Sequence, residues 1–208
     1  MKKSLKIKVC GNTQVDNLQE VCNLKPEYVG FIFYPKSKRF VSSPDNVPMS
    51  SSCRAKRVGV FVNATQEEIT QRVKDYNLDI IQLHGDESPS FCAKINLIRP
   101  VFKAFQINNE INNWLLSSYM SVCYKFLFDT KSDGYGGSGK HFDWSILKSY
   151  NLSKPFILSG GLKPNDATKL LQIEHPMLEA IDVNSGFELE PGVKNINDLT
   201  TFFNLIRI

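Results

Sequence analysis

The chain has 208 residues and a formal net charge of +4, with 25 lysine and arginine residues against 21 aspartate and glutamate residues. This length predicts roughly one domain, or two small ones, and allows about 70% of the unfolded surface to be buried without metal or disulfide support. A hydrophobic content of 42% excludes a disordered protein. The weak positive charge argues against nucleic-acid binding, which needs clustered basic residues. No apolar run is long enough for a membrane span, and lysines interrupt any N-terminal signal peptide.

Five cysteines are spread along the chain, at positions 10, 22, 53, 92 and 123. Their odd number and the lack of a C-x-x-C spacing argue against a disulfide framework and against a zinc site. We therefore expect reduced, mostly buried thiols in a cytoplasmic protein.

Eight short apolar runs rich in β-branched and aromatic residues follow one another along the chain. They begin at residues 5, 28, 57, 79, 100, 124, 155 and 180, a mean spacing of about 25 residues. This spacing fits one strand, one loop and one helix, and such alternation predicts a parallel sheet covered on both faces. Eight units without a break in composition favour an α/β fold, a (β/α)8 TIM barrel spanning residues 1–208 as a single domain. The competing architecture is an open, doubly wound sheet.

Three segments between the runs carry helix signals. Thr65 and Glu68 form a capping-box pattern, Pro164 opens a second helix, and Asn197 precedes a third. Residues 44–54 contain two prolines and three serines, so the second helix of the barrel is expected to be short or irregular.

In either architecture, the chemistry belongs at the carboxyl ends of the strands. Cys10 closes the first strand and is either a base or nucleophile, or an inert buried thiol. Asp129 closes the sixth and is either a general acid or a carboxylate held by backbone N–H groups. His84 follows the fourth strand and either orients a substrate or is structural. Arg39 lies in a basic loop, where it either binds a carboxylate or is simply solvated.

Two small-residue clusters follow the seventh and eighth strands. The first contains Gly160 and Gly161, and the second contains Ser185 and Gly186. Glycines let backbone N–H groups approach a phosphate, and barrels of this kind bind phosphate with these two loops. The alternative is a pair of ordinary strand-to-helix turns.

A glycine-rich segment, Gly134–Lys140, matches G-x-G-x-x-G and nearly matches the P-loop pattern. No acidic residue follows at the spacing of a dinucleotide site, and His141 is a poor Mg²⁺ ligand in the last P-loop position. We therefore interpret the segment as a mobile loop that closes over a site, or as a merely flexible loop.

Seven ordered motifs at the strand ends together resemble the phosphoribosylanthranilate isomerase family of tryptophan biosynthesis. They occupy residues 8–13, 30–42, 58–63, 82–87, 129–130 with 136–144, 158–162 and 182–188. The similarity covers nearly the whole chain, and seven motifs in order are highly specific. Asn184 departs from the small hydroxyl residue that is frequent in the family, and Phe187 departs from the usual smaller aliphatic residue.

The resemblance implies a barrel without cofactor or metal that acts on a small phosphorylated substrate, as a monomer or homodimer. The implied reaction is an Amadori rearrangement of N-(5-phosphoribosyl)anthranilate to 1-(2-carboxyphenylamino)-1-deoxyribulose 5-phosphate. By the resemblance, Cys10 is the general base, Asp129 is the general acid and Arg39 binds the anthranilate carboxylate. The remaining implied site residues are those of the phosphate turns and two further active-site positions: Gly160, Gly161, Ser185, Gly186, His84 and Asp182.

Two other functions fit the same scaffold. One is the related aminoaldose isomerase of histidine synthesis, but that reaction is expected to use two aspartates, and Cys10 argues against it. The other is a non-catalytic protein that binds a phosphorylated ligand. Such a protein would need neither Cys10 nor Asp129.

Overall fold

A computed structural model describes residues 5–44, 47, 53–130 and 142–207. Eight parallel strands form a closed barrel in sequence order, and the last strand pairs with the first. They are β1 (Lys6–Val9), β2 (Tyr28–Ile32), β3 (Lys56–Phe61), β4 (Ile80–Leu83), β5 (Val101–Ile107), β6 (Lys125–Thr130), β7 (Phe156–Leu158) and β8 (Leu178–Val183). Each begins within two residues of an apolar run, so the predicted barrel is confirmed and the open sheet is excluded.

Helices cover the outside of the barrel, and a small hairpin follows β8. The α-helices are α1 (Val15–Asn23), α2 (Gln66–Asp75), α3 (Pro89–Asn96), α4 (Asn113–Ser117), α5 (Ala167–Leu170) and α6 (Ile196–Ile206). The 3₁₀ segments that lie wholly within the described ranges include Trp144–Ser149, Pro164–Asp166 and Ser185–Phe187. The hairpin consists of β9 (Glu188–Glu190) and β10 (Val193–Lys194). None of the helices in these described ranges is long and apolar enough to cross a membrane.

The local helix signals are largely confirmed. Thr65 and Glu68 form the predicted capping box at the start of α2, and Pro164 opens a 3₁₀ turn that continues into α5. The last helix begins earlier than predicted, at Ile196, because the side chain of Asn195 accepts a hydrogen bond from the Asp198 N–H at 3.3 Å and caps it.

Two predicted features fall largely outside the described residues. Between β2 and β3, the described residues form no α-helix, and residues 45, 46 and 48–52 of the expected irregular segment are not described. The glycine-rich segment Gly134–Lys140 and His141 also lie outside the described ranges. Its interpretation as a closing loop stays a prediction.

The hydrophobic core has two parts, one on each face of the sheet. The smaller cluster, inside the barrel, consists of Tyr28, Val58, Ile80, Phe102, Ala104, Leu127, Ile157 and Ala180. The larger cluster packs the outer face of the strands against the helices and includes Ile7 and Val9 of β1. Because side chains alternate along a strand, Lys8 and Cys10 face the interior. The alternation of side chains along β1 thus places the Lys8 side chain and the Cys10 thiol in the interior of the barrel.

The expectation of five reduced thiols is wrong, because Cys22 and Cys53 form a disulfide. Their Cα atoms lie 5.3 Å apart, although 31 positions separate them in the sequence. Cys22 lies in α1, and Cys53 lies just before β3. The packing of α1 beside the segment that enters β3 creates the pair, and no short-range spacing signals it. Cys10, Cys92 and Cys123 are free and buried.

Candidate active site

A pocket opens at the carboxyl ends of the barrel strands, where the sequence places the chemistry. All nine residues singled out in the sequence line it: Cys10, Arg39, His84, Asp129, Gly160, Gly161, Asp182, Ser185 and Gly186. The structure therefore brings together groups that lie up to 176 positions apart in the chain. Gln82, Ser159 and Asn184 add polar groups to the same wall.

Cys10 lies at the base of the pocket, directly after β1. Its side chain is buried, and its N–H donates to the Val183 carbonyl of β8 at 2.9 Å. A Cβ atom at Gly30 on the neighbouring strand would lie 2.6 Å from the Cys10 Sγ, so only glycine leaves room for the thiol. Burial raises the pKa of the Cys10 thiol, and the Lys8 ammonium opposes this increase.

Lys8 and Asp182 form a buried ion pair beside Cys10. The Lys8 Nζ donates to the Asp182 Oδ2 at 2.7 Å, and the lysine is fully buried. Burial disfavours the ammonium, but the charges and hydrogen bonds of Asp182 and Cys10 together outweigh this effect and raise the pKa of Lys8. Burial also raises the pKa of Asp182, against the influence of Lys8. The Oδ1 of Asp182 is buried and has no hydrogen-bond partner among the described residues. Asp182 as a residue lines the pocket, so this unpartnered oxygen lies close to the pocket wall.

Asp129, on β6, is held by two hydrogen bonds. Its Oδ1 accepts the Thr130 N–H at 2.9 Å, and its Oδ2 lies 3.0 Å from the His84 Nε2. On the other side of His84, the Nδ1 lies 2.9 Å from the Gln82 Nε2. Gly160 has a φ of +92°, and a Cβ atom there would lie 2.7 Å from the Asp129 Oδ1. Position 160 therefore needs glycine both for its backbone conformation and for access to the carboxyl group.

Arg39, in the loop after β2, is paired with a protein carboxylate. Its Nε lies 2.8 and 2.9 Å from the two oxygens of Glu188, and its Nη2 donates to the same carboxylate. The β9–β10 hairpin places Glu188 opposite Lys194, whose Nζ donates to Oε1 at 2.7 Å. Burial disfavours the charged carboxylate, but the hydrogen bonds from Arg39 and the Lys194 ammonium outweigh this effect and lower the pKa of Glu188.

Asn184 and Phe187, the two residues that differ from the family pattern, anchor the turn after β8. The Asn184 Oδ1 accepts a hydrogen bond from the Lys194 Nζ at 2.8 Å. Phe187 is fully buried and packs its ring against Phe202 of α6, with ring centroids 4.8 Å apart. Both side chains therefore fix this turn to the C-terminal part of the fold.

The predicted phosphate turns present free backbone donors to the pocket. Within the described part of the chain, no acceptor is bonded to the amide N–H of Gly160, Gly161, Ser185 or Gly186. All four residues line the pocket, and unsatisfied N–H groups that converge in this way attract an anion. The described residues contain no group of three or more histidine, cysteine or acidic side chains placed to hold a metal ion.

A sequence profile of the family described as N-(5'-phosphoribosyl)anthranilate isomerase matches residues 7–205. The chain belongs to this family. The N-(5'-phosphoribosyl)anthranilate isomerase of Parabacteroides distasonis is 44% identical over 204 residues, which cover 96% of this chain and 92% of the relative.

Solved structures of the phosphoribosylanthranilate isomerase family share the fold. The Thermotoga maritima enzyme, which is described as dimeric and was crystallised as monomers, has a TM-score of 0.82 and 33% identity, covering 97% of this chain and 98% of the other. A second isomerase was solved in complex with reduced 1-(o-carboxyphenylamino)-1-deoxyribulose 5-phosphate. It has a TM-score of 0.80 and 31% identity, again covering 97% of this chain and 98% of the other.

Four polar residues that line this isomerase pocket or pair with its lining residues were not singled out from the sequence, and of these only Gln82 lines the pocket itself. Lys8 has a visible signal, because it interrupts an apolar strand at an inward position. Gln82 has the same signal two residues before His84. Glu188 and Lys194 have none, because their pairing depends on the hairpin after β8.

Proposed function

We propose that the chain catalyses the Amadori rearrangement of N-(5-phosphoribosyl)anthranilate in tryptophan biosynthesis, with Cys10 as general base and Asp129 as general acid. The observation that carries this proposal is that both residues line one pocket at the carboxyl ends of the strands. An aldose-to-ketose rearrangement needs one proton donor and one proton acceptor on the same substrate. The buried Cys10 is the acceptor when it is a thiolate, and the hydrogen-bonded carboxyl group of Asp129 is the donor.

We propose that the two anionic groups of the substrate are bound by hydrogen-bond donors on two different parts of the pocket. Arg39 is proposed to bind the anthranilate carboxylate with the N–H groups that Glu188 leaves free. The free N–H groups of Gly160, Gly161, Ser185 and Gly186 are proposed to bind the phosphate. The unpartnered Asp182 Oδ1 lies close to the pocket wall, and His84 lies beside the acid.

The reaction then proceeds by proton transfers alone. Asp129 donates its proton to the furanose ring oxygen, and ring opening leaves a Schiff base between the sugar C1 and the anthranilate nitrogen. Cys10, as thiolate, removes the proton at C2 and gives an enolamine, which tautomerises to the ketone. Each proton transfer by a positioned side chain typically contributes ~10²–10⁴-fold to the rate. Because no hydride or electron leaves the substrate, we propose no cofactor and no metal.

The ammonium groups around Cys10 favour formation of the thiolate. Burial and, to a smaller extent, the Asp182 carboxylate raise the pKa of the Cys10 thiol, while Lys8 and, more weakly, Lys194 act against this increase. Both lysines are fully buried, so solvent screens their charges little. We further propose a cytoplasmic enzyme that acts as a monomer or homodimer and binds no nucleic acid.

The test is to mix purified protein with N-(5-phosphoribosyl)anthranilate and follow the anthranilate-type fluorescence. We expect the fluorescence to fall as an isomer of equal mass accumulates. The aminoaldose of histidine synthesis, offered in parallel, should not be converted. Binding without turnover would replace the proposal by a ligand-binding function, and turnover of the histidine intermediate alone would replace it by the related isomerase.

A further inference from the structure

Gln82 is a buried polar residue of the pocket that the proposed acid–base chemistry does not use. It lies on β4, two residues before His84, and is 1% exposed. Its amide nitrogen lies 2.9 Å from the His84 Nδ1, and the His84 Nε2 lies 3.0 Å from the Asp129 Oδ2. The three side chains therefore form a hydrogen-bonded chain that ends at Asp129, the proposed general acid.

The direction of these hydrogen bonds follows from the chemistry of the amide. An amide nitrogen only donates, so the His84 Nδ1 must be the unprotonated, accepting nitrogen. In a neutral imidazole the remaining proton is then on Nε2, which donates to the Asp129 Oδ2. Rotating the Gln82 amide by 180° would reverse this order.

The hydrogen bond to Asp129 decides between the two amide orientations, because burial alone does not. As placed, the amide leaves Oε1 and one of its two N–H groups without a partner among the described residues, and the rotated amide would leave both N–H groups without one. The oxygens of the Asp129 carboxylate only accept, so the His84 Nε2 must carry the proton that points to Oδ2. In a neutral imidazole Nδ1 is then the acceptor, and of the two ends of the Gln82 amide only the nitrogen can donate to it.

We infer that Gln82 is a positioning residue that selects the Nε2–H tautomer of His84 and thereby orients Asp129. This inference rests on the proposed function, in which Asp129 gives its proton to the sugar ring oxygen. The carboxylate formed in that step already accepts the Thr130 N–H on Oδ1, and His84 donates to Oδ2. His84 keeps its Nε2 proton throughout, so the proton balance of the reaction does not change.

Two substitutions separate this role from simple packing. Gln82→Met keeps an unbranched side chain of similar length but removes the donor to Nδ1. Gln82→Glu keeps the shape but places an acceptor there, which favours a proton on Nδ1. Gln106→Met is the matched control, because Gln106 lies on neighbouring β5, is exposed, and pairs in register with Asp129 through the backbone.

The tautomer is read directly by ¹⁵N NMR of histidine-labelled protein, which contains three histidines. The resonance of His84 is assigned by its loss in His84→Asn. We expect an unprotonated Nδ1 and a protonated Nε2 in the unsubstituted protein and in Gln106→Met. In Gln82→Glu we expect a protonated Nδ1. A protonated Nδ1 in the unsubstituted protein would overturn the inference.

Kinetics test the consequence for the acid. Gln82→Met should lower kcat at least ~10-fold with KM changed less than ~2-fold, because the acid is misoriented and not the substrate. The double variant Gln82→Met, His84→Asn should have the same kcat as His84→Asn alone, because Gln82 acts through His84. An unchanged kcat in Gln82→Met, with an active parent, overturns only the role of Gln82. No turnover in the parent overturns the proposed function, while the NMR result still decides the tautomer.

Discussion

The guanidinium of Arg39, which lines the pocket, forms a hydrogen-bonded ion pair with the carboxylate of Glu188 through both Nε and Nη2. Lys194 holds the same carboxylate from the other side at 2.7 Å. Glu188 therefore fixes the plane of the guanidinium before any ligand arrives. A planar fork that is already oriented loses less conformational entropy when it binds a second carboxylate.

Replacing Arg39 should weaken substrate binding more than it slows the chemistry. We expect Arg39→Ala and Arg39→Lys each to raise KM at least ~10-fold and to change kcat less than ~3-fold, because lysine keeps the charge but not the fork. Steady-state kinetics measure this. Lys38→Ala removes an exposed charge from the same loop and should leave KM unchanged. An equal increase in KM in Lys38→Ala would mean that substrate binding depends only on the overall positive charge of the loop.

Glu188 should stabilise the fold in a pH-dependent way. Its pKa is lowered from a usual value near 4.5, so its contribution is fully present above that pH and is lost as the pH falls through the folded-state value. Glu188→Gln should lower the free energy of unfolding by about 2 kcal/mol at pH 7 and by less at pH 3.5. Urea denaturation at both pH values measures the difference. Exposed Glu190→Gln, also on β9, should have little effect at either pH, and a Glu188 effect independent of pH would refute the explanation.

Two lysines of β1 pair with β8 at very different depths, which gives a matched comparison. Lys8→Met should destabilise the protein by about 3–5 kcal/mol, because it leaves the buried Asp182 carboxylate unpaired. Lys6→Met breaks a pair with Glu179 in which the lysine side chain is 45% exposed, and should cost less than about 1 kcal/mol. Urea denaturation measures the free energy of unfolding of both variants. A similar decrease in the two would contradict the conclusion that the buried pair contributes more to stability than the exposed pair.

Thiol counting tests the disulfide. Alkylation of the denatured protein without reductant should label three cysteines, namely Cys10, Cys92 and Cys123, and alkylation after reduction should label five. Mass spectrometry gives both counts. Labelling of all five without reductant would show that Cys22 and Cys53 are reduced in the purified protein, as the sequence alone suggested.

The sequence predicts well whatever depends on neighbouring residues. The capping box of Thr65 needs only a glutamate three positions on, and each barrel strand needs only a short apolar run. Contacts between residues that are distant in the sequence are not predicted in this way. Arg39 and Glu188 are 149 positions apart, and Lys8 and Asp182 are 174 apart.

Each of these distant pairs forms only when the barrel closes and β8 comes to lie beside β1. The pairing of Cys22 with Cys53 depends in the same way on how α1 packs. The resemblance to a family identified Cys10, Asp129 and the partner of Asp129, His84, but it did not reveal Lys8, Gln82 or the pair of Glu188 and Lys194. Lys8 and Gln82 are marked in the sequence only as polar residues within apolar strands, whereas the pairing of Glu188 with Lys194 depends on the hairpin after β8 and has no local signal.

The most direct test of the account is the turnover number of Cys10→Ser and Asp129→Asn on N-(5-phosphoribosyl)anthranilate, followed by the loss of fluorescence. We predict that each substitution lowers kcat at least ~100-fold with a modest change in KM, because each removes a proton-transfer group and leaves the binding groups in place. Cys123→Ser, at another buried free thiol, should retain the activity of the parent. Parent-like kcat in either Cys10→Ser or Asp129→Asn would contradict the assignment of base and acid.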